Sequence, residues 1–210
     1  MPIALAVTLI DLAFLLSNLN KLPHGGYWSL ILASVPLTVM IIWTRGQRAL
    51  YRALRPLDLE TFLVAYEQIY AKGRTIPGTG LFFVRETDVV PPYVIHCIIR
   101  SNIIYERNVF VSLSRTDEPF GVYSCLSEGV GTGLDAFDIK AGYMDVVDIE
   151  GLVKENGIHE KVIFYGIEDI ATNNPVWRVF STIKRQTANF VQFNNLPVSK
   201  LQGVVTRVEM

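Results

Sequence analysis

The chain has 210 residues, 19% of them charged, with a mean hydropathy of +0.30 and a formal net charge of −1. That length admits one or two domains, and a near-neutral charge excludes the basic footprint of a nucleic-acid-binding surface. The two cysteines, Cys97 and Cys125, have no CxxC spacing and sit among apolar residues, so they read as reduced and structural, as in a cytosolic domain.

The first 44 residues carry only two charges, Asp11 and Lys21. They form two apolar runs, Ile3–Leu19 and Tyr27–Trp43, hinged on Leu22-Pro23-His24-Gly25-Gly26. Seventeen helical residues reach roughly 26 Å, the short end of what a bilayer core of about 30 Å needs. A basic n-region and a small-residue cleavage site are both missing, so the pattern does not read as a signal peptide. Two buried helices of a soluble core are the competing reading, but tandem runs on a Pro-His-Gly-Gly turn favour a transmembrane hairpin over residues 1–44. Arg45, Arg48, Arg52 and Arg55 crowd just past the second run. Basic residues stay on the cytoplasmic side, which predicts a multi-pass protein of the cell membrane with both the N-terminus and Arg45 onward in the cytoplasm. The four arginines are expected to contact lipid headgroups.

Asp11 is the informative residue of the first run. An Asp at a helix centre costs about 2.5–3.5 kcal/mol on insertion, and the run's apolar residues return roughly 3–6 kcal/mol in all. Thr8, Asp11 and Asn18 share a face with Ala4, a small and polar stripe suited to other helices or a wet cavity. It reads either as interhelical hydrogen bonding or as a face near an ion path. Pro36 in the second run also asks for neighbours, because the carbonyl it frees needs a partner.

Residues 45–73 read as a basic juxtamembrane segment, stopped by Pro56, and an amphipathic helix over Leu59–Ala71 with Asp58 as its N-cap. From residue 74 onward strand and helix patterns alternate. A turn over 74–80 feeds a strand at Leu81–Val84, and Pro91-Pro92 opens a helix to about Ile99. Strands are expected at Asn108–Ser114, Val122–Ser127 and Ala136–Ala141. A helix at Val146–Asn156 and a strand at Lys161–Tyr165 follow, then a helix of about fifteen residues from Pro175 and a strand at Val204–Val208. This predicts an α/β fold with a mixed sheet for a cytosolic domain over residues 74–210.

Chemistry is sparse. Gly129–Gly133 lacks the Gly-Lys-Ser/Thr ending of a phosphate loop and reads as a hairpin turn. His24, His96 and His159 have no metal-ligand spacing. Cys97 adjoins His96, but adjacent helical residues face different ways. Asp145, Asp148 and Glu150 gather at a helix start, where the macrodipole favours carboxylates. No catalytic residues, cofactor or metal site are expected, and a membrane-bound enzyme is the least favoured reading.

Several motifs in order resemble one family. Asp11-Leu12-Ala13-Phe14 and Ser17-Asn18-Leu19-Asn20-Lys21-Leu22-Pro23-His24-Gly25-Gly26-Tyr27 resemble the final transmembrane pair of the KUP/HAK/KT potassium uptake transporters. Trp43-Thr44-Arg45-Gly46, Ile76-Pro77-Gly78-Thr79-Gly80-Leu81-Phe82, Tyr105-Glu106-Arg107, Ser114-Arg115-Thr116, Gly142-Tyr143-Met144-Asp145 and Val204–Glu209 follow in family order. The resemblance implies the last two spans and cytosolic domain of a potassium:proton symporter, partnered by the bilayer and by a transmembrane core that this chain does not hold. The family's potassium-coordinating residues lie in earlier spans, so this polypeptide alone is expected not to transport. The resemblance further implies a regulatory, homodimerising cytosolic domain. Some bacterial relatives respond to a cyclic dinucleotide, cyclic di-AMP, although no residue here establishes a nucleotide site. The alternative is a membrane-anchored cytosolic ligand-binding or regulatory module.

Overall fold

The computed structural model describes residues 2–21, 25–187, 196 and 198–210. The hinge residues Leu22, Pro23 and His24 lie outside the described residues. Two compact units divide between Gln47 and Arg48.

The first unit is helical. Helix α1 covers Pro2–Lys21 and α2 covers Tyr27–Leu54, the basic segment after Trp43 continuing α2 for eleven residues without a break. At 28 residues, α2 is about 42 Å long, and its last seven residues belong to the second unit. The helix ends where Arg55 takes a left-handed φ of 46° ahead of Pro56, a residue that cannot continue a helix.

The second unit is a six-stranded sheet with helices packed on it. Strand β1 (Leu57–Asp58) leads into α3 (Leu59–Tyr70), followed by β2 (Ile76–Val84), β3 (Val89–Val90), α4 (Pro92–Ile95), β4 (Tyr105–Thr116), β5 (Val122–Gly131) and β6 (Leu134–Gly142). Then come α5 (Ile149–Glu155), β7 (Glu160–Ala171), α6 (Pro175–Gln186) and β8 (Leu201–Glu209). The sheet order is β5-β6-β4-β2-β7-β8, all neighbours parallel except the antiparallel β5–β6 pair. The predicted α/β mixed sheet is therefore present. The chain builds leftward from β2 through β4, then returns past β2 to β7. Because crossovers between parallel strands are right-handed, that reversal puts the connecting helices on opposite faces.

Side-chain alternation in the central strands feeds both faces. Phe82 and Val84 of β2, Phe110 of β4 and Phe164 of β7 join Phe62 and Tyr66 of α3 and Tyr93, Val94 and Ile98 in one cluster. Leu81, Phe83, Val109, Val111 and Ile163 meet Ile149 and Val153 of α5 in the other. Strands buried on two sides read as near-continuous apolar runs, which is why Leu81–Val84 is legible in the sequence. Strand β2 in fact begins at Ile76, running through the Pro-Gly-Thr-Gly stretch expected to be a turn; the ladder to β4 shifts register between Ile76 and Thr79 to accommodate it. Paired strands likewise extend β4, β5, β7 and β8 beyond their apolar centres.

Caps set several helix boundaries. Asp58 caps α3, its carboxylate accepting from the Thr61 hydroxyl (2.7 Å) and backbone N–H (2.9 Å), which hold the carboxyl below its usual pKa. Asp148 caps α5 by accepting from Gly151 N–H at 3.0 Å, so that helix starts at Ile149, later than the expected Val146. Of the expected acidic group at this helix start, Glu150 does lie in the first turn. Asp145 instead accepts from Gly121 N–H at 2.6 Å, tying the β6–α5 loop to the β4–β5 loop. Asn174 caps α6, which is twelve residues long among the described residues.

Candidate functional site

The helical unit carries the transmembrane expectation. In α1 every described side chain from Ala4 to Leu19 is exposed, including Leu9, Phe14 and Leu16, and in α2 so are Leu32, Val35, Leu37 and Met40. A helix with apolar side chains all round belongs inside a protein core or a membrane. Among the described residues, α2 is the one helix long and apolar enough to cross a membrane, with Ala4–Leu19 as a shorter apolar helix.

On α1, the turn of 100° per residue places Ala4, Thr8, Asp11 and Asn18 within about 80° of arc. The Thr8 hydroxyl donates to Ala4 O at 2.9 Å, so its proton is already used within the helix. Among the described residues, no hydrogen bond or ion pair engages the Asp11 or Asn18 side chain. On α2, the hydroxyls of Ser34 and Thr38 flank Pro36 and donate to Ile31 O and Ser34 O, both at 2.7 Å. Arg45, Arg48 and Arg52 follow at i, i+3 and i+7 on the same helix, all exposed, while Arg55 sits past its end. No described acidic group pairs with any of the four.

In the α/β unit, the Gly129–Gly133 stretch forms the end of the β5–β6 hairpin. Gly133 has φ +66°, and a Cβ there would lie against the Tyr70 hydroxyl, so α3 closes over the hairpin at that residue. His96 and His159 are exposed and far apart in sequence, and no group of three metal-ligating side chains exists among the described residues. Sequence reasoning did not find a polar knot behind the hairpin. The fully buried Asn108 accepts from Tyr105 N–H at 3.0 Å and donates through Nδ2 to the Tyr66 hydroxyl (3.0 Å), Tyr105 O (2.8 Å) and Gly133 O (3.3 Å). Tyr66 in turn donates to Thr132 O at 3.1 Å, and burial pushes its phenol well above the ordinary tyrosine pKa. One side chain thus joins α3, β4 and the hairpin. An asparagine opening an apolar strand was its only sequence signal.

The cysteines differ from each other. Cys97 is buried and its thiol is pushed up to about 11 by desolvation. Cys125 is exposed, contrary to its apolar sequence context, because β5 is an edge strand with that side uncovered. The thiolate is the reactive form, so one maleimide per native chain is expected at neutral pH, on Cys125. Mass spectrometry of the Cys125→Ser variant should then show no label until the chain is denatured; label on native Cys97 would contradict the burial argument.

An apolar helical unit whose first helix carries one polar face, followed by an α/β domain, fits a membrane protein. The chain belongs to the potassium transporter family: residues 77–210 match the family's "K+ potassium transporter C-terminal domain" and residues 1–48 its "K+ potassium transporter integral membrane domain". It is 81% identical over its full length to "Probable potassium transport system protein Kup 2" of Geobacter metallireducens and 78% identical to the protein of that name in Geobacter sulfurreducens. Over 99% of its length it is 48% identical to "Probable potassium transport system protein Kup" of Methanosarcina acetivorans. The chain spans 34% of the length of each of these curated relatives. No solved structure matches it.

Proposed function

We propose that this chain is the C-terminal part of a potassium:proton symporter, in which α1 and α2 are the last two transmembrane spans and the α/β unit is a cytoplasmic regulatory and dimerising domain. The observation that carries this reading is the stripe on α1. Asp11 and Asn18 are polar side chains without partners among the described residues, on a helix otherwise suited to lipid. A helix that merely anchors a domain has no use for a buried carboxylate at its centre, whereas a helix packed into a bundle can pair it. The exposed arginines at the end of α2 supply the positive charge that would hold that end, and the domain after it, on the cytoplasmic side.

The test is potassium uptake in a host lacking its own uptake systems, using this chain joined behind the preceding spans of the Geobacter metallireducens relative. The chimera is expected to restore growth at low potassium. The Asp11→Leu version should reach the membrane at a similar level yet lose uptake several-fold. A membrane-anchored ligand-binding module predicts the reverse, since removing the carboxylate would be neutral or stabilising. Equal uptake by both versions would overturn the packing role, and a correctly inserted chimera without uptake would overturn the transporter reading.

A further inference from the structure

The described apolar side chains exposed on the α/β unit concentrate at one place. Phe120, Tyr123, Tyr143 and Met144 are 60–63% exposed and Val146 is 95% exposed, all on or beside the β4–β5 and β6–α5 loops. The two loops are lashed together. Tyr143 N–H donates to Glu118 O and Met144 N–H to Pro119 O, each at 3.1 Å, and Gly142 N–H donates to Gly121 O at 2.9 Å. The Asp145 carboxylate takes Gly121 N–H, and the Arg115 guanidinium donates to Gly142 O and Asp145 O, both at 2.8 Å. A Cβ on Gly142 would lie 2.7 Å from the Phe120 backbone. Holding aromatic rings out in water on ordered loops gives the folded chain no burial in return. An exposed apolar patch of this kind marks an interaction surface.

The patch lies at the carboxyl ends of the parallel strands. Strand β2 ends at Val84, opposite Ser112, whereas β4 and β6 run on to the pair Thr116 and Gly142. At about 3.3 Å per residue, they overshoot β2 by roughly 13 Å. The chain enters the α/β unit at this same end. Arg85, the residue after β2, holds its guanidinium 5.9 Å from the centre of the Tyr51 ring on the last turns of α2, beside the buried Leu50. Trp43 ends the second apolar run and precedes Tyr51 on one continuous helix, by about 12 Å of helical rise. The overshoot of the strands thus matches the length of helix between the apolar run and the unit.

We propose that this patch rests in the boundary between headgroups and acyl chains of the bilayer that α2 crosses, with Phe120, Tyr143 and Met144 entering it. Tyrosine suits that zone because its ring is apolar and its hydroxyl stays wet. The contact is made by apolar area and not by charge. Arg115 is spent on carbonyl oxygens, and the exposed Asp117 and Glu118 flank the patch, so its partner is a zwitterionic lipid surface. A second attachment besides α2 stops the unit from pivoting about the helix end. The proposal rests on the reading of α2 as a membrane span.

The experiment places the 210-residue chain in phosphatidylcholine nanodiscs as the Cys125→Ser variant, which keeps only the buried Cys97, and puts a nitroxide on one introduced cysteine at a time. Electron paramagnetic resonance then compares collisions with oxygen, which concentrates in lipid, and with a water-soluble nickel chelate. Labels on Phe120→Cys and Met144→Cys are expected to favour oxygen several-fold over a label on Lys72→Cys. Lys72 is exposed and follows α3 at the opposite end of the sheet, where the Tyr70 hydroxyl reaches Glu106 O. Adding Tyr143→Ser should weaken the preference at both loop sites. Leu37→Cys, at a position 58% exposed on α2, reports on the span itself. Oxygen preference on α2 but not on the loops would overturn this proposal alone, and no preference on α2 would overturn the membrane-span reading with it. Loop labels shielded from both reagents, with spin–spin broadening that unlabelled chain dilutes away, would assign the patch to a second copy of the chain and overturn the lipid contact.

Discussion

Phe82→Ala is expected to lower the stability of the α/β unit by about 3–5 kcal/mol, the range for deleting a buried aromatic ring. Phe82 has no solvent exposure and sits on β2, between β4 and β7. Its ring stacks on Phe164 at 4.8 Å and meets Phe110 edge-on at 6.2 Å, while Phe110 contacts Phe62 of α3 at 5.8 Å. These rings stand on strands held by ladders on both sides, so they cannot close in on the space an alanine would leave. Most of the cavity therefore persists, and its cost adds to the lost burial. Urea denaturation of the chain in detergent, followed by near-UV circular dichroism, should show a lower midpoint at an unchanged slope. Val64→Ala, on the exposed side of α3 at 64% exposure, is the control and should change stability by no more than about 0.5 kcal/mol. Equal midpoints for the two variants would refute the account of a rigid aromatic spine.

The same aromatic spine shows why much of the fold was legible. Strands buried on both faces must be apolar throughout, so Leu81–Val84 and Asn108–Ser114 announce themselves, and helix starts are marked by Asp58, Pro92 and Pro175. Strand ends were not legible, because Pro77 and Gly78 form a register shift between the paired Ile76 and Thr79, and the polar residues of β7 past Tyr165 are held in place by ladder partners in β8 distant in sequence. Strands β1 and β3, two residues each, carry no periodicity to read. The two apolar N-terminal helices were legible from charge depletion, and the shared face of Thr8, Asp11 and Asn18 from helical arithmetic. The partners of Asp138 were not, because it accepts from both Thr87 and Ser112: a strand carboxylate gives no hint of hydroxyl partners from a loop and a neighbouring strand.

Asn108 gives the other large effect, and its pH dependence separates hydrogen bonding from packing. Asn108→Leu removes the acceptor for Tyr105 N–H and the donor to Tyr105 O, leaving both to a dry interior. At about 1–3 kcal/mol for each unpaired group, the loss should be similar at every pH. Asn108→Asp keeps the shape and the acceptor toward Tyr105 N–H, but it turns an oxygen toward Tyr105 O and Gly133 O, where Nδ2 donated at 2.8 and 3.3 Å. An ionised carboxylate there would be buried against two carbonyl oxygens, so the folded state would retain the proton and the carboxyl pKa would rise above its unfolded value of about 3.9. The sign follows from proton linkage. The folded state binds more protons than the unfolded one between the two pKa values, so stability is greatest below the unfolded pKa and falls as pH rises toward the folded one. The decline should approach about 1.4 kcal/mol per pH unit in that window. Denaturation midpoints at a series of pH values from about 4 to 7 should therefore descend steeply for Asn108→Asp and run parallel to wild type for Asn108→Leu. Parallel profiles for all three proteins would mean that water reaches this position, and the knot joining α3, β4 and the β5–β6 hairpin would then be a matter of shape alone.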